Sequence, residues 1–348
     1  MIKKIVSLTN KIWSIQSEAA ACNEKSVVAI LAHNRNIDNL ESFIKVTLRE
    51  SMPDPFVFVD MERAANRIVA AIKNNQKIAI LGDYDVDGVS SVSIFIKFLK
   101  HIGAEYVYFI PHRLHHGYGL SISSVENHKD CLIIAVDCGS SSLEELKYAE
   151  DNNIDIVVID HHRMQEVPKA IIVNPHRPDE SGKYQYLCAA GLVFMCVVAI
   201  NRLLRNANFY GELAEPNLID YLDLVALATV CDVVELTDLN RAFVSTGIEV
   251  IRQRKNLGID ALLSLQKNPE INSETIAFII GPKLNVAGRM MSADTSVCLL
   301  TTENPIQAKE IAQQLINLNR ERQILEQEMM EEAYSFVDEN LNFICAHN

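Results

Sequence analysis

Apolar residues along this chain follow two rhythms, and the change between them divides it. Between 77 and 173, short apolar runs alternate with stretches of helical spacing. The runs 77–81, 106–110, 132–136, 155–159 and 170–173 are too short for helices. Apart from Lys77 and Asp155 at their starts they are apolar throughout, which predicts strands buried on both faces. Between them, 88–101 and 142–151 place apolar residues three or four apart and predict helices. Strands alternating with helices imply right-handed crossovers and a mostly parallel sheet with helices on both faces.

The flanks read differently. Residues 1–75 look helical with polar breaks, and Met61, Ala64, Ile68 and Ile72 share one face. From 187 onward the pattern is all-helical, in segments 187–205, 218–230, 241–254, 258–267 and 273–280. Residues 281–289 read as a glycine-bracketed loop. Asn304-Pro305 then supplies a cap and a first-turn proline for a long helix. Its single thin apolar stripe suits a helix that bridges to another unit. The expected class is α/β: the mostly parallel sheet, then an all-helical region and a long connecting helix. The divisions are a helical N-terminal region at 1–75 and a central domain at 76–303, with its α/β core at 76–186 and helical part at 187–303. The connecting helix takes 304–340, and 341–348 begins a further strand.

Composition narrows the class. With 348 residues, 49% apolar and 22% charged, this is an ordinary globular chain of about two domains. It contains no uninterrupted apolar run of about 18 residues, so no membrane span is expected, and 187–200 reads as a core helix. The N-terminus lacks a signal-peptide pattern, which predicts a cytoplasmic protein. Eight cysteines form no CxxC pair and sit mostly in apolar segments, against a zinc or disulfide framework. A net charge of −13 argues against nucleic-acid binding through overall positive charge. It does not exclude a phosphate substrate, because carboxylates that hold metals inflate the negative count.

The chemistry gathers where the strands stop. Ile78 to Gly88 reads IAILGDYDVDG, an apolar run ending in three alternating aspartates. The next runs end at Asp137, at Asp160-His161-His162 and at Asn174-Pro175-His176-Arg177. In a parallel sheet these ends converge on the crevice where ligands bind. Crowded carboxylates repel unless a cation neutralises them, and oxygen donors suit Mg²⁺ or Mn²⁺. Asp83, Asp85, Asp137 and His161 form the candidate set, with Asp232 after an apolar helix. Five ligands, one of them bridging, suit two cations of the kind that assist phosphoryl displacement. The mixed donors tilt the choice towards Mn²⁺. Arg113, His162, the Asn174–Arg177 run and Arg289 stand near as candidate phosphate contacts, because a guanidinium fork fits phosphate oxygens. Asp87 is given no ligand role and is expected to shape its own turn.

GDYDVDG, VDCGSS, VIDHH, NPHRP, LATVCDVVEL and GPKLNVAGR stand in this order. Together they resemble the DHH phosphoesterase superfamily, in the form of the RecJ single-strand-specific DNA exonucleases. The resemblance covers about 27–345. It implies two-metal hydrolysis of single-stranded DNA in the 5′ to 3′ direction, by a water activated between Mn²⁺ or Mg²⁺ ions, in DNA repair and recombination. It implies metal ligation by Asp83, Asp85, Asp137, His161 and Asp232, with Asp137 bridging and Asp137, His161 and His162 at the chemistry. Arg113, His162 and Arg289 would engage phosphates. Asn174, His176 and Arg177 would lie near the nucleotide, and Asp160 would orient a histidine. Leu81 departs from the pattern, since many relatives carry a histidine there. The resemblance also implies a chain truncated within the first strand of a second lobe. Single-stranded DNA is the expected partner, with a single-strand-binding protein or helicase beside it, and the chain is expected to be a monomer. The competing readings are a DHH phosphodiesterase acting on short oligonucleotides or cyclic dinucleotides, and an inactive binding remnant.

Overall fold

A computed structural model describes residues 5–6, 12–13, 27–35, 37–112, 119–265 and 270–336. Five parallel strands form the central sheet: β1 (Ile78–Gly82), β2 (Tyr106–Phe109), β3 (Leu132–Val136), β4 (Ile156–Ile159) and β5 (Ile171–Val173). Their spatial order is β2-β1-β3-β4-β5. All four pairings are parallel, as the uniformly apolar runs require.

Side-chain alternation splits the core in two. Ile78, Ile80, Leu132, Ile134 and Val136 point into the larger cluster. There they meet α1 (Met61–Lys73), α2 (Val86–His101), α4 (Ala189–Asn206) and α5 (Leu222–Cys231). Ala79, Leu81, Ile133 and Ala135 face the smaller cluster, with Leu146 and Ala149 of α3 (Leu143–Asp151). The helix α4 is long and apolar enough to cross a membrane, yet 72% of it is buried inside the protein. It is the core helix expected from 187–200.

Beyond α5 come α6 (Asp238–Arg252) and α7 (Leu257–Ser264), then a π-helical stretch at Thr275–Ile280. That stretch runs directly into α8 (Gly281–Met290), followed by α9 (Asp294–Thr301) and α10 (Pro305–Ser335). The expected loop at 281–289 is therefore a helix. Pro282 sits in its first turn, directly after the π-helical stretch. Asn304 caps α10 by accepting from the backbone N–H groups of Ile306 and Gln307.

Candidate metal centre

Register, more than any single motif, assembles the site. Gly82 pairs with Val136, Val136 with Ile159, and Ile159 with Val173. The next residue on each strand therefore stands in one row across the sheet: Asp83, Asp137, Asp160 and Asn174. The order β2-β1-β3 makes β1/β3 the point where the chain turns from one edge of the sheet to the other. Ligands in open parallel sheets bind at that switch point, and Asp83 and Asp137 lie on either side of it.

Each ligand candidate is held by its backbone. Asp137 occupies the left-handed region with φ 60°, a conformation aspartate tolerates better than most residues. Asp85 caps α2, its Oδ1 accepting from the N–H groups of Asp87 and Gly88 at 2.9 and 3.1 Å. Asp232 ends α5. His161 aims Nε2 into the carboxylates, 3.4 Å from Asp137 Oδ1, 3.6 Å from Asp87 Oδ2 and 3.7 Å from Asp232 Oδ2. Donor atoms of Asp83, Asp85 and Asp137 lie within 4.8 Å of one another, as do those of Asp87, His161 and Asp232.

Burial and like charge disfavour ionisation across this cluster. Burial pushes Asp83 up to about 7, helped by the neighbouring charge of Asp85. Asp137 is also raised well above the ordinary range, by burial and then by Asp87 and Asp85. Burial and the Asp85 charge bring Asp232 to about 6. Burial and neighbouring His162 depress His161 to about 4, so its imidazole is neutral and able to ligate. Asp83 Oδ1 and Asp137 Oδ1 are buried without a hydrogen-bond partner among the described residues. Buried carboxylate oxygens are rarely left unpaired. A divalent cation held by these residues would answer both the charge and the missing bonds, so the donor set fits hard or borderline metals.

The other half of the row is saturated. Asp160 Oδ1 accepts from His162 Nδ1 at 2.7 Å and from the N–H groups of His161 and His162, while Oδ2 accepts from Ser140 N–H. Burial alone would raise Asp160, but these bonds and the His162 charge bring it to about 2. The same pairing lifts His162 to about 9. Asn174 donates to Ser140 Oγ and to the carbonyl of His162, and accepts from His176 N–H.

Two expectations change here. Arg177 is only 7% exposed. Its guanidinium donates to Asp60, to both oxygens of Asp179 and to the carbonyl of Ile172. Arg177 and Asn174 brace the strand end, with four of the five guanidinium N–H groups and both Asn174 amide N–H groups engaged within the protein. Asp87 does not shape its own turn. Its two oxygens accept from the N–H groups of Ala189 and Ala190 at 2.7 Å, which anchors the start of α4 beside the centre. His176 is half-buried at the edge of the site, and burial lowers its pKa. Leu81 is buried in the smaller core and offers no donor. Arg113 lies outside the described residues.

Arg289 reaches the site through a close backbone approach. A Cβ on Gly288 would stand 2.5 Å from the carbonyl oxygen of Tyr84, so only glycine lets α8 pack against the turn between Asp83 and Asp85. Asn285, which the sequence did not single out, fastens the same contact by accepting from Val86 N–H at 3.1 Å. Its position in α8, four residues before Arg289, was hidden by the loop reading.

Comparison with known proteins places the chain in a family. The model for the DHH family, N-terminal domain, matches residues 77–229. The single-stranded-DNA-specific exonuclease RecJ of Bacillus subtilis is 34% identical over 322 residues, 90% of this chain and 39% of the relative. RecJ of Haemophilus influenzae is 35% identical over 86% of this chain and 53% of its own length. A crystal structure of exonuclease RecJ bound to manganese aligns with a TM-score of 0.72 and 30% identity, covering 81% of this chain and 71% of that one. The chain belongs to the RecJ branch of the DHH family. RecJ of Thermus thermophilus in complex with Mn²⁺ aligns with a TM-score of 0.75 and 27% identity, over 89% of this chain and 44% of that one. The same enzyme is also known in complex with Mg²⁺. The chain spans 39% and 53% of the two curated RecJ relatives above.

Proposed function

We propose that this chain is the metal-bearing lobe of an exonuclease that degrades single-stranded DNA from its 5′ end, in cytoplasmic DNA repair and recombination. The observation that carries the reading is the pair of orphaned carboxylate oxygens, Asp83 Oδ1 and Asp137 Oδ1, at the switch point of the sheet. Two divalent cations, Mn²⁺ or Mg²⁺, would be held by Asp83, Asp85, Asp137, His161 and Asp232. Asp137 would be shared, with Asp83 and Asp85 on different ions. When bound, the cations supply Lewis acidity and charge neutralisation to an in-line phosphoryl displacement.

The protein's own groups do the positioning. Asp85 leaves Oδ2 for ligation because Oδ1 is engaged in capping α2. Asp160 fixes the ring of His162 through Nδ1, and that ring is exposed enough to meet a phosphate oxygen. Asp87 fixes the start of α4 while its Oδ2 stands 3.6 Å from His161 Nε2. Arg289 brings a guanidinium to the edge of the centre, suited to a neighbouring phosphate. Arg113 belongs to the same set through its place in the family motif. A monomer working beside a single-strand-binding protein or a helicase completes the reading.

The purified chain with Mn²⁺ should shorten a 5′-phosphorylated single strand and leave a blunt duplex intact. Turnover of dinucleotides with none of single strands would favour the small-substrate phosphodiesterase. Absence of both activities and of Mn²⁺ uptake would reject the hydrolase reading.

A further inference from the structure

Next to Asp232, a groove of about 410 Å³ opens between the corner after α5, the π-helical stretch, α8 and α10. Pockets of this size take small ligands. Two of its walls are odd for a surface. Val233 is 87% exposed and left-handed, with φ 59°. A β-branched residue rarely adopts that backbone, at a cost of about 1–3 kcal/mol, and such strain concentrates at functional sites. Phe278 is 77% exposed, on the π-helical turn that feeds α8. Single π-turns likewise recur at functional sites. Neither side chain contributes to a core.

Two arginines also line the groove. Arg289 is exposed and, among the described residues, makes no hydrogen bond or ion pair. Arg322 of α10 lines the same groove while pairing with Glu326 at its rim. An aromatic face, an aliphatic edge and guanidinium groups within one small groove match a base with its flanking phosphates.

We propose that this groove receives one unpaired nucleobase of the substrate strand, next to the scissile phosphate. Phe278 is the stacking face. Val233 is a wedge between that base and its neighbour, and Arg289 and Arg322 hold the adjoining phosphates. The inference rests on the phosphodiesterase reading above and adds to it the residues that select single strands. A base already stacked and paired in a duplex cannot enter without being extruded, whereas any unpaired base presents a π-face to Phe278.

The test measures binding of a 5′-phosphorylated, phosphorothioate-linked oligothymidylate to the full chain with Mn²⁺, by fluorescence anisotropy. Phe278→Ala should raise Kd roughly tenfold, the loss of one base stack, and Phe278→Trp should restore it. Val233→Gly should weaken binding although it relieves the backbone. Ile306→Ala, equally apolar and exposed elsewhere, should bind like the parent. Mn²⁺ calorimetry on each variant reports whether the metal centre is intact. Parent-like affinity of Phe278→Ala, with the parent binding both metal and strand, overturns the base pocket and leaves the hydrolase reading standing. A parent that takes up no Mn²⁺ and binds no strand overturns both.

Discussion

Asp83 and Asp137 form one half of a row across the sheet, and Asp160 and Asn174 form the other. All four are buried to 3% exposure or less, at the carboxyl ends of consecutive strands in space. In the first half, one oxygen of each carboxylate has no hydrogen-bond partner among the described residues, and burial and neighbouring charges oppose ionisation. In the second half, every oxygen and amide has a partner, and Asp160 is held ionised. Polarity at a strand end therefore does not define a ligand site. Unsatisfied polarity does, because a buried charge must be answered by something and only the first half leaves the answer open.

The sharpest way to stress that contrast is to break the saturated side. Arg177→Ala removes a guanidinium only 6% exposed from Asp60, which keeps the exposed Arg63 and Ile172 N–H as partners, and from Asp179. Loss of one member of a buried pair should cost about 3–5 kcal/mol in denaturant unfolding. The Mn²⁺ stoichiometry of the folded fraction should not change. Reduced metal uptake without lost stability would return Arg177 to the site.

A buried carboxylate outside the row offers the next contrast. Asp223 is pushed up from 3.8 to about 6 by burial, partly offset by the Lys97 charge and by a bond from Leu224 N–H. Its proton is held more tightly in the folded state than in the unfolded chain. That contribution is complete below pH of about 4 and is lost as pH rises through about 6, for a total of roughly 3 kcal/mol. With Mn²⁺ saturating, Asp223→Asn should remove this slope from the unfolding free energy between those pH values. An unchanged slope would show that water or a cation already reaches Asp223.

The mildest test lies at the boundary between the halves. Asp160→Asn keeps the shape but weakens the hold on His162. Activity should fall about 10- to 100-fold while both cations still bind. Loss of a cation instead would place Asp160 among the ligands.

Much of this was legible in the sequence, for a stated reason. Apolar runs that stop abruptly at Asp83, Asp137 and Asp160 can only be buried strands presenting polar ends, and parallel connections bring those ends together. Satisfaction was not legible. Asn174 and Arg177 look like Asp83 in one dimension, and one of the groups that engage the guanidinium, Asp60, lies more than a hundred residues upstream. Asp87 misled in the same way, since its partners lie at the start of α4. The 281–289 error came from reading glycine as a sign of turning. Gly281 and Gly288 are there for space, against Cys231 and Tyr84, within an unbroken helix.

The central claim is that the orphaned oxygens of Asp83 and Asp137 are the two faces of one dinuclear centre. Isothermal calorimetry of the chain against Mn²⁺ tests it directly, run beside Asp137→Ala under the same conditions. The account predicts two Mn²⁺ per parent chain and failure of both in the variant, because Asp137 is shared. Full uptake by Asp137→Ala, or none by the parent, would contradict it.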